Sequence, residues 1–164
     1  MSSKKKSPRR QGRERAFQVL YGCGFSELPD EEQVRRTFDN FIRGSVGGTR
    51  NQAANEFAWE LVSGVMENKP VLDRHITEFS KNWRLERIAK IELAILRLSL
   101  YEMLYRMDVP IKVAINEGIE LSKKFGDSKS SKFVNGILDA VATRIKDGRL
   151  EFKNPDKKDA TPED

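Results

Sequence analysis

The chain has 164 residues, of which 38% are hydrophobic and 34% are charged, and its formal net charge is +5. This length allows one domain or two very small ones, and the apolar content is too high for a fully disordered chain. The single cysteine, Cys23, excludes an internal disulfide. No apolar run reaches the roughly 18 residues of a membrane span, and residues 1–10 do not resemble a secretory signal. We therefore expect a soluble, cytoplasmic protein that does not contact a membrane.

Positive charge is concentrated at the N-terminus. Residues 1–15 contain seven Lys or Arg and one acidic residue, Glu14, whereas residues 147–164 contain four basic and six acidic residues. We predict that residues 1–15 form a flexible basic arm that binds a polyanion, because clustered cations attract phosphates and release their counterions. The alternative is a solvated tail that only improves solubility.

The first helices follow from apolar residues at helical spacing. One begins near Pro8, and a second follows Asp30, an N-cap residue with Gln33 three positions later. A third has the clearest apolar stripe and ends at Asn68-Lys69-Pro70, because proline cannot continue a helix without losing a backbone hydrogen bond. A fourth covers 72–79.

The second half of the chain begins with a long fifth helix, Trp83 to Met107, which is apolar on most of its circumference and is therefore central. A sixth helix follows Pro110, and a seventh begins at Phe133 after a polar loop over 126–132. We predict an all-α fold of about seven helices, with one domain over 16–146 made of subdomains at about 16–68 and 70–146. Residues 147–164 are charged and contain prolines, which predicts a disordered tail.

No residue pattern predicts catalysis. One histidine, His75, and one cysteine are too few for a structural zinc site, and His75 lies in a helical stretch without the partners of a nucleophile triad. The pair Gly47-Gly48 lies between helices and lacks the following lysine of a phosphate-binding loop. We expect no enzyme activity, no metal and no cofactor.

Two positions nevertheless suggest binding. Glu92 lies within an otherwise apolar helix, so it either faces water in a strip with Ser99 and Glu102 or meets a partner. Phe133 follows Lys129 and Lys132, so it is either a core anchor or a platform on which an unpaired base stacks.

Several stretches together resemble the NusB family of transcription antitermination factors. They are the arginine-rich start over 9–21, the central helix over 91–102, and the segments 109–117, 120–126 and 132–139, in the order and spacing of the family. Agreement across several ordered motifs is much more specific than any single motif.

The resemblance implies a NusB-like fold of two packed helical subdomains and a role in ribosomal RNA transcription. Family members bind single-stranded boxA RNA together with the ribosomal protein NusE and act on the RNA polymerase elongation complex. The resemblance assigns Tyr21 and Glu92 to the NusE surface and Phe133 to the RNA. The RNA-binding residues predicted from the charge pattern and the resemblance are Lys4, Lys5, Lys6, Arg9, Arg10, Arg13, Lys129, Lys132 and Phe133.

Two other functions stay open at this point. The same helical fold occurs as the N-terminal domain of RNA cytosine methyltransferases, so the chain could be a stand-alone RNA-binding module of that kind. It could also be a helical scaffold that binds only protein, as a homodimer. RNA affinity and a methyl-donor assay would distinguish these alternatives.

Overall fold

The computed structural model describes residues 6–23, 30–45, 47–81 and 84–150. These residues form six α-helices and one 3-10 turn and no strand, which confirms the all-α fold class with one helix fewer than predicted. No helix in this part of the chain is long and apolar enough to cross a membrane. The helices are α1 (Pro8–Cys23), α2 (Glu31–Gly44), α3 (Gln52–Phe79), α4 (Lys90–Tyr105), α5 (Ile111–Phe125) and α6 (Ser128–Lys146).

The chain divides into two compact units, Met1–Lys69 and Pro70–Asp164. In the first unit, α2 packs against α1 and buries Val34, Phe38 and Ile42, which recur every four residues and so lie on one face. The Phe38 ring meets the Trp59 ring of α3 edge to face, with centroids 5.4 Å apart. Apolar side chains from all three helices therefore build the core of this unit.

The start of α2 is fixed by a capping box, as predicted. The Asp30 carboxylate accepts a hydrogen bond from the Gln33 backbone N–H at 2.8 Å, and the Gln33 side chain accepts one from the Asp30 N–H at 3.1 Å. Two backbone donors that the helix leaves unpaired are satisfied in this way.

Pro70 lies inside α3 rather than at its end. The helix continues from Gln52 to Phe79, so the predicted end at 68–70 and the separate fourth helix are wrong. An interior proline costs about 3 kcal/mol. Beyond it, Leu72 and Ile76 are fully buried, and each such burial stabilises by about 1.5–3 kcal/mol. Burial of these two side chains therefore offsets the cost of the proline.

Helix α4 is central in the second unit, where it packs against both α5 and α6. It begins at Lys90 and ends at Tyr105, so the predicted limits Trp83 and Met107 are wrong. Ile88 and Ala89 have ψ values of 132° and 139°, which break the helical path before Lys90. Ile88 is buried, so this bend inserts an apolar side chain into the core ahead of the helix.

The predicted solvent strip on α4 is also wrong. Ser99 and Glu102 are each 2% exposed, whereas Glu92 is half-buried. Ser99 contacts α5 where Gly118 has no side chain: a Cβ there would lie 2.5 Å from the Ser99 hydroxyl oxygen. Small residues at both positions let α4 and α5 approach closely, and polar patterning alone does not show this.

The prediction of a flexible basic arm over residues 1–15 is wrong for residues 8–15. These residues belong to α1, and Arg13 is buried within it. Arg13 stands three and seven residues before Ala16 and Leu20, which places it on the apolar face of the helix. Lys4 and Lys5 lie outside the described residues, as does the predicted tail from 151 onward.

Candidate nucleic-acid interface

Two arginines of α1 lie over one aromatic ring of α3. The guanidinium carbons of Arg9 and Arg13 are 4.7 and 5.3 Å from the centroid of the Phe57 ring. Such cation–π contacts contribute about 0.5–2 kcal/mol and restrict the side chains. Arg9 is exposed, whereas Arg13 is only 4% exposed. Arg9 thus presents an oriented guanidinium to solvent, and a phosphate can reach Arg13 only if that side chain leaves the ring.

Gly12 allows this arrangement. A Cβ at Gly12 would lie 2.9 Å from both the Ala54 carbonyl oxygen and Cδ1 of Phe57. Any side chain would therefore push α1 away from α3, because packed interiors have little room to relax. The close approach holds Arg9 and Arg13 within reach of the ring.

Lys6 and Arg10 add two further cations at the start of α1. The Lys6 ammonium lies 2.8 and 3.0 Å from the two carboxylate oxygens of Glu14, and 43% of the Lys6 side chain is exposed. Arg10 is exposed, and its backbone N–H donates to the Ser7 hydroxyl at 3.2 Å. Together with Arg9, these residues form a cationic surface at the start of α1.

A turn between α2 and α3 is joined to α1 by side-chain amides. The Asn51 amide donates to the Gln11 side-chain oxygen at 2.7 Å, while its own oxygen accepts from a backbone N–H of the first turn of α3 at 3.1 Å. Arg15 donates to the Asn55 side-chain oxygen at 2.6 Å, and the Asn55 amide donates to the Gly48 carbonyl, also at 2.6 Å. These bonds fix the turn against the start of α1.

The turn also needs its two glycines. Gly47 has a φ of +68°, a region that residues with a Cβ rarely adopt. A Cβ on Gly48 would overlap the carbonyl oxygen of Ile42. The shape of the turn is therefore set by the sequence Gly47-Gly48.

The turn and the start of α1 border an open cleft of about 860 Å³. Among the described residues its lining includes three cations, Lys6, Arg15 and Arg50, and no acidic side chain. Sequence analysis assigned Lys6 to RNA, counted Arg15 in the same charge cluster without assigning it, and missed Arg50. No local pattern marks Arg50, because the hydrogen bonds that hold the turn and the start of α3 to α1 join residues 40 positions apart.

A second cleft of the first unit, about 690 Å³, lies between α2 and α3. Here the Arg35 guanidinium lies 4.5 Å from the centroid of a Trp59 ring. The charged residues that line it carry both signs: Arg35, Asp39, Arg43, Glu56 and Glu60. This mixture of signs suits a polyanion less well than the first cleft, where every charged residue among those described is a cation.

In the second unit, α6 begins at Ser128, so the predicted start at Phe133 is wrong, as is the predicted loop over 128–132. Asp127 caps the helix: its carboxylate accepts from the Ser130 backbone N–H at 2.8 Å. That hydrogen bond lowers the pKa of the Asp127 carboxyl, with smaller contributions from the Ser130 hydroxyl and from Lys129. A good cap therefore starts the helix within a polar segment that sequence patterning assigned to a loop.

Lys129, Lys132 and Phe133 occupy the first two turns of α6. Both lysines are exposed and Phe133 is half-buried. Residues four apart lie on the same side of a helix, so Lys129 and Phe133 share a face. The second unit thus carries a partly exposed ring beside a cation.

The two residues assigned to the partner surface differ in their surroundings. Tyr21, in the first unit, is 37% exposed, and its ring stacks on Phe17 with centroids 6.1 Å apart. Glu92, in the second unit, is half-buried in the first turn of α4. Within the described part of the chain its side chain makes no hydrogen bond or ion pair.

The titratable groups form no metal site in the portion of the chain that is described. No group of three His, Cys, Asp or Glu side chains there could hold a metal ion. Burial raises the pKa of the Cys23 thiol, with Lys69 and Thr37 opposing, and burial likewise raises the pKa of Tyr105 against the opposing charge of Arg74. Both groups are therefore neutral at physiological pH, and Cys23 is a poor nucleophile.

Comparison with known proteins identifies the family. Residues 10–143 match the profile described as NusB family. The chain is 54% identical over 147 residues to the transcription antitermination protein NusB of Oleidesulfovibrio alaskensis, an alignment that covers 90% of this chain and 95% of that protein.

Solved structures agree with this match. NusB of T. maritima has a TM-score of 0.74 and 32% identity, with 89% of this chain and 100% of that chain covered. A chain in the crystal structure of antitermination factors NusB and NusE in complex with dsRNA has a TM-score of 0.71 and 26% identity, with 83% and 96% covered. The profile match and the alignment with the Oleidesulfovibrio alaskensis protein each cover most of this chain. This chain therefore belongs to the NusB family.

Proposed function

We propose that this chain is an RNA-binding transcription antitermination factor that binds boxA-like single-stranded RNA of ribosomal RNA operons together with NusE. The observation that carries the proposal is the cationic surface at the start of α1, formed by Lys6, Arg9 and Arg10 in a member of the NusB family. In the transcription elongation complex the chain would act by binding, without a catalytic step of its own.

The cationic surface suits a phosphate backbone. Arg9 is exposed and oriented by the Phe57 ring, so fewer side-chain conformations are lost when it meets a phosphate. Guanidinium groups also pair with phosphate oxygens through two parallel hydrogen bonds. The family resemblance adds Arg13, which orients Phe57 from the buried side and would bind RNA after a side-chain movement. Lys4 and Lys5 extend the same charge cluster in sequence.

Base recognition is proposed for the start of α6. Single-stranded RNA exposes unstacked bases, and proteins bind them by stacking on aromatic rings beside cations. The partly exposed Phe133 ring, with Lys129 and Lys132 on the same two turns, supplies both features. Phosphate contacts in the first unit would account for the affinity for RNA. A base contact in the second unit would account for the preference for particular bases.

NusE is proposed as the protein partner, with contacts at Tyr21 and Glu92. The related chain was solved in a complex with NusE and dsRNA. Tyr21 offers an amphipathic ring of the type enriched at interfaces, and Glu92 offers a carboxylate whose hydrogen bonds are not used within the described part of the chain. A cation or N–H group of the partner would satisfy it.

The test is binding of a labelled boxA-like RNA oligonucleotide, with and without NusE, over a series of salt concentrations. A scrambled oligonucleotide of equal length is the control for sequence preference.

A deletion of the N-terminal residues should end at Ser7, since α1 begins at Pro8 and its first turns pack on α3. Loss of the three lysines Lys4, Lys5 and Lys6 should lower the log–log salt slope by about two units, at about 0.7 per phosphate contact. Equal binding of both oligonucleotides in the presence of NusE would contradict boxA recognition, and no RNA binding at all would refute the proposal.

A further inference from the structure

We propose that the cleft between the start of α1 and the turn at residues 47–51 binds a phosphodiester of single-stranded RNA, with Arg50 as its principal unassigned contact. This binding site rests on the proposed RNA-binding function and extends it to residues outside the predicted arm. We call this cleft the α1–turn cleft.

Charge is the first observation that points to a phosphate. The lining of the α1–turn cleft includes Lys6, Arg15 and Arg50, and none of the described residues that line it carries a carboxylate. Glu14 pairs with Lys6 but does not line the cleft. The two arginines come from different elements, so a group between them would meet positive charge from both sides.

Arg50 is the least engaged of the three cations that line the cleft, since Lys6 pairs with Glu14 and Arg15 with Asn55. Its backbone N–H donates to the Gly47 carbonyl at 3.1 Å and fixes the turn. Its guanidinium is exposed and makes no hydrogen bond or ion pair with any residue that the structure describes. Its N–H donors are therefore available to a bound anion, which can accept from two of them at once.

Arg15 is held in place opposite the turn. One of its nitrogens donates to Asn55 at 2.6 Å, and Asn55 in turn donates to the Gly48 carbonyl. This contact leaves further donors of the same guanidinium for a ligand. Because Asn55 connects Arg15 to the turn, both walls of the cleft keep their spacing before any ligand binds.

The size and rigidity of the cleft fit one nucleotide unit. Its volume of about 860 Å³ lies within the range of about 300–1,000 Å³ that is usual for small-ligand sites. The hydrogen bond between Gln11 and Asn51 ties its two walls together. A pre-formed site loses less conformational entropy on binding. Lys6 and Pro8 also line it, so an RNA strand bound by Arg9 and Arg10 can continue into the cleft without leaving the surface of the first unit.

The experiment uses the full chain with Arg50→Ala and Arg50→Glu. Arg36→Ala is the matched control, because Arg36 is an exposed arginine of α2 that lines neither cleft. A phosphate contact weakens binding uniformly across sequences. Arg50→Ala should therefore weaken binding of the boxA-like and the scrambled RNA by the same factor, about threefold to tenfold, and lower the salt slope by about 0.7. Arg50→Glu should weaken binding further, and Arg36→Ala should match wild type.

The outcomes separate this site from the proposed function. If wild type binds no RNA, both are wrong. In a second outcome, wild type binds RNA, Arg9→Ala weakens that binding, and both Arg50 variants have the RNA affinity of Arg36→Ala. The α1–turn cleft is then not an RNA site, and the proposed function stands. Inorganic phosphate is titrated alone as a second arm, with amide NMR shifts of the turn as the signal. Shifts with phosphate but unchanged RNA affinity of the Arg50 variants would mark a site for a free anion and overturn the assignment to RNA.

Discussion

Replacing Gly12 with alanine should loosen the contact between α1 and α3 and weaken RNA binding with it. The new Cβ would lie 2.9 Å from the Ala54 carbonyl oxygen and from Cδ1 of Phe57. Carbon atoms ordinarily approach to about 3.5–4.0 Å, so the shortfall exceeds half an ångström. The carbonyl is backbone and cannot rotate away, and the helices must separate.

The expected magnitude is a balance of two effects. Overpacking costs about 1–3 kcal/mol, whereas replacing glycine by alanine inside a helix gains about 0.8–1 kcal/mol. The net loss of unfolding free energy is therefore up to about 2 kcal/mol, which lowers Tm by up to about 8 °C for a chain of this size. The Phe57 ring must also turn, which disturbs the contact that orients Arg9.

Gly22→Ala is the matched control, since Gly22 lies on the same helix and a Cβ there meets nothing within 4 Å. Calorimetry and RNA titration of both variants supply the comparison. Gly22→Ala should keep or raise Tm and leave RNA affinity unchanged. If Gly12→Ala is as stable as Gly22→Ala, the close approach of α1 and α3 does not exist in solution and the Phe57 ring does not orient Arg9.

Three further predictions concern the second unit. Glu92→Lys should weaken NusE binding by about 2–5 kcal/mol. It should leave the Tm of the isolated chain near wild type, because the carboxylate has no side-chain partner in the described part of the molecule. Unfolding of the variant would place Glu92 in an internal network. Phe133→Ala should weaken RNA binding by about 1–3 kcal/mol and reduce stability by less than the roughly 3–5 kcal/mol of a fully buried phenylalanine; a core-sized drop in the denaturation midpoint with normal RNA affinity would make Phe133 a packing residue. Gly118→Ala should destabilise the fold by about 1–3 kcal/mol, because the new methyl group would contact the Ser99 hydroxyl. In a double-mutant cycle, adding Ser99→Ala should recover most of that loss. A double variant as unstable as Gly118→Ala would refute the packing described between α4 and α5.

Local signals allowed much of the helical fold to be predicted from sequence. Asp30 and Gln33 specify a helix start by themselves, and the structure forms the capping box. The helix end predicted at Pro70 is wrong because burial of Leu72 and Ile76 offsets the local cost of the proline. Burial depends on packing partners, which a rule about proline alone does not include. Glu102 was misjudged for a similar reason, since polarity alone places it in water.

The candidate interface could be predicted only where charges cluster in sequence. Lys6, Arg9 and Arg10 were found through that cluster. Arg13 belonged to the same cluster, yet its spacing from Ala16 and Leu20 already indicated the buried face of α1. Arg50 carries no such signal, because its relation to α1 exists only after the turn has folded against the helix.

The proline within α3 has a consequence for amide hydrogen exchange. Pro70 has no N–H, so the carbonyl of Met66 lacks its usual donor, and the hydrogen-bond ladder is interrupted at the boundary between the two compact units. Opening α3 at this point breaks fewer hydrogen bonds than opening it elsewhere, so the two halves can open as separate cooperative segments. Exchange rates measured under native conditions should therefore group the amides before Pro70 with those of α1 and α2, and the amides after it with those of α4 to α6.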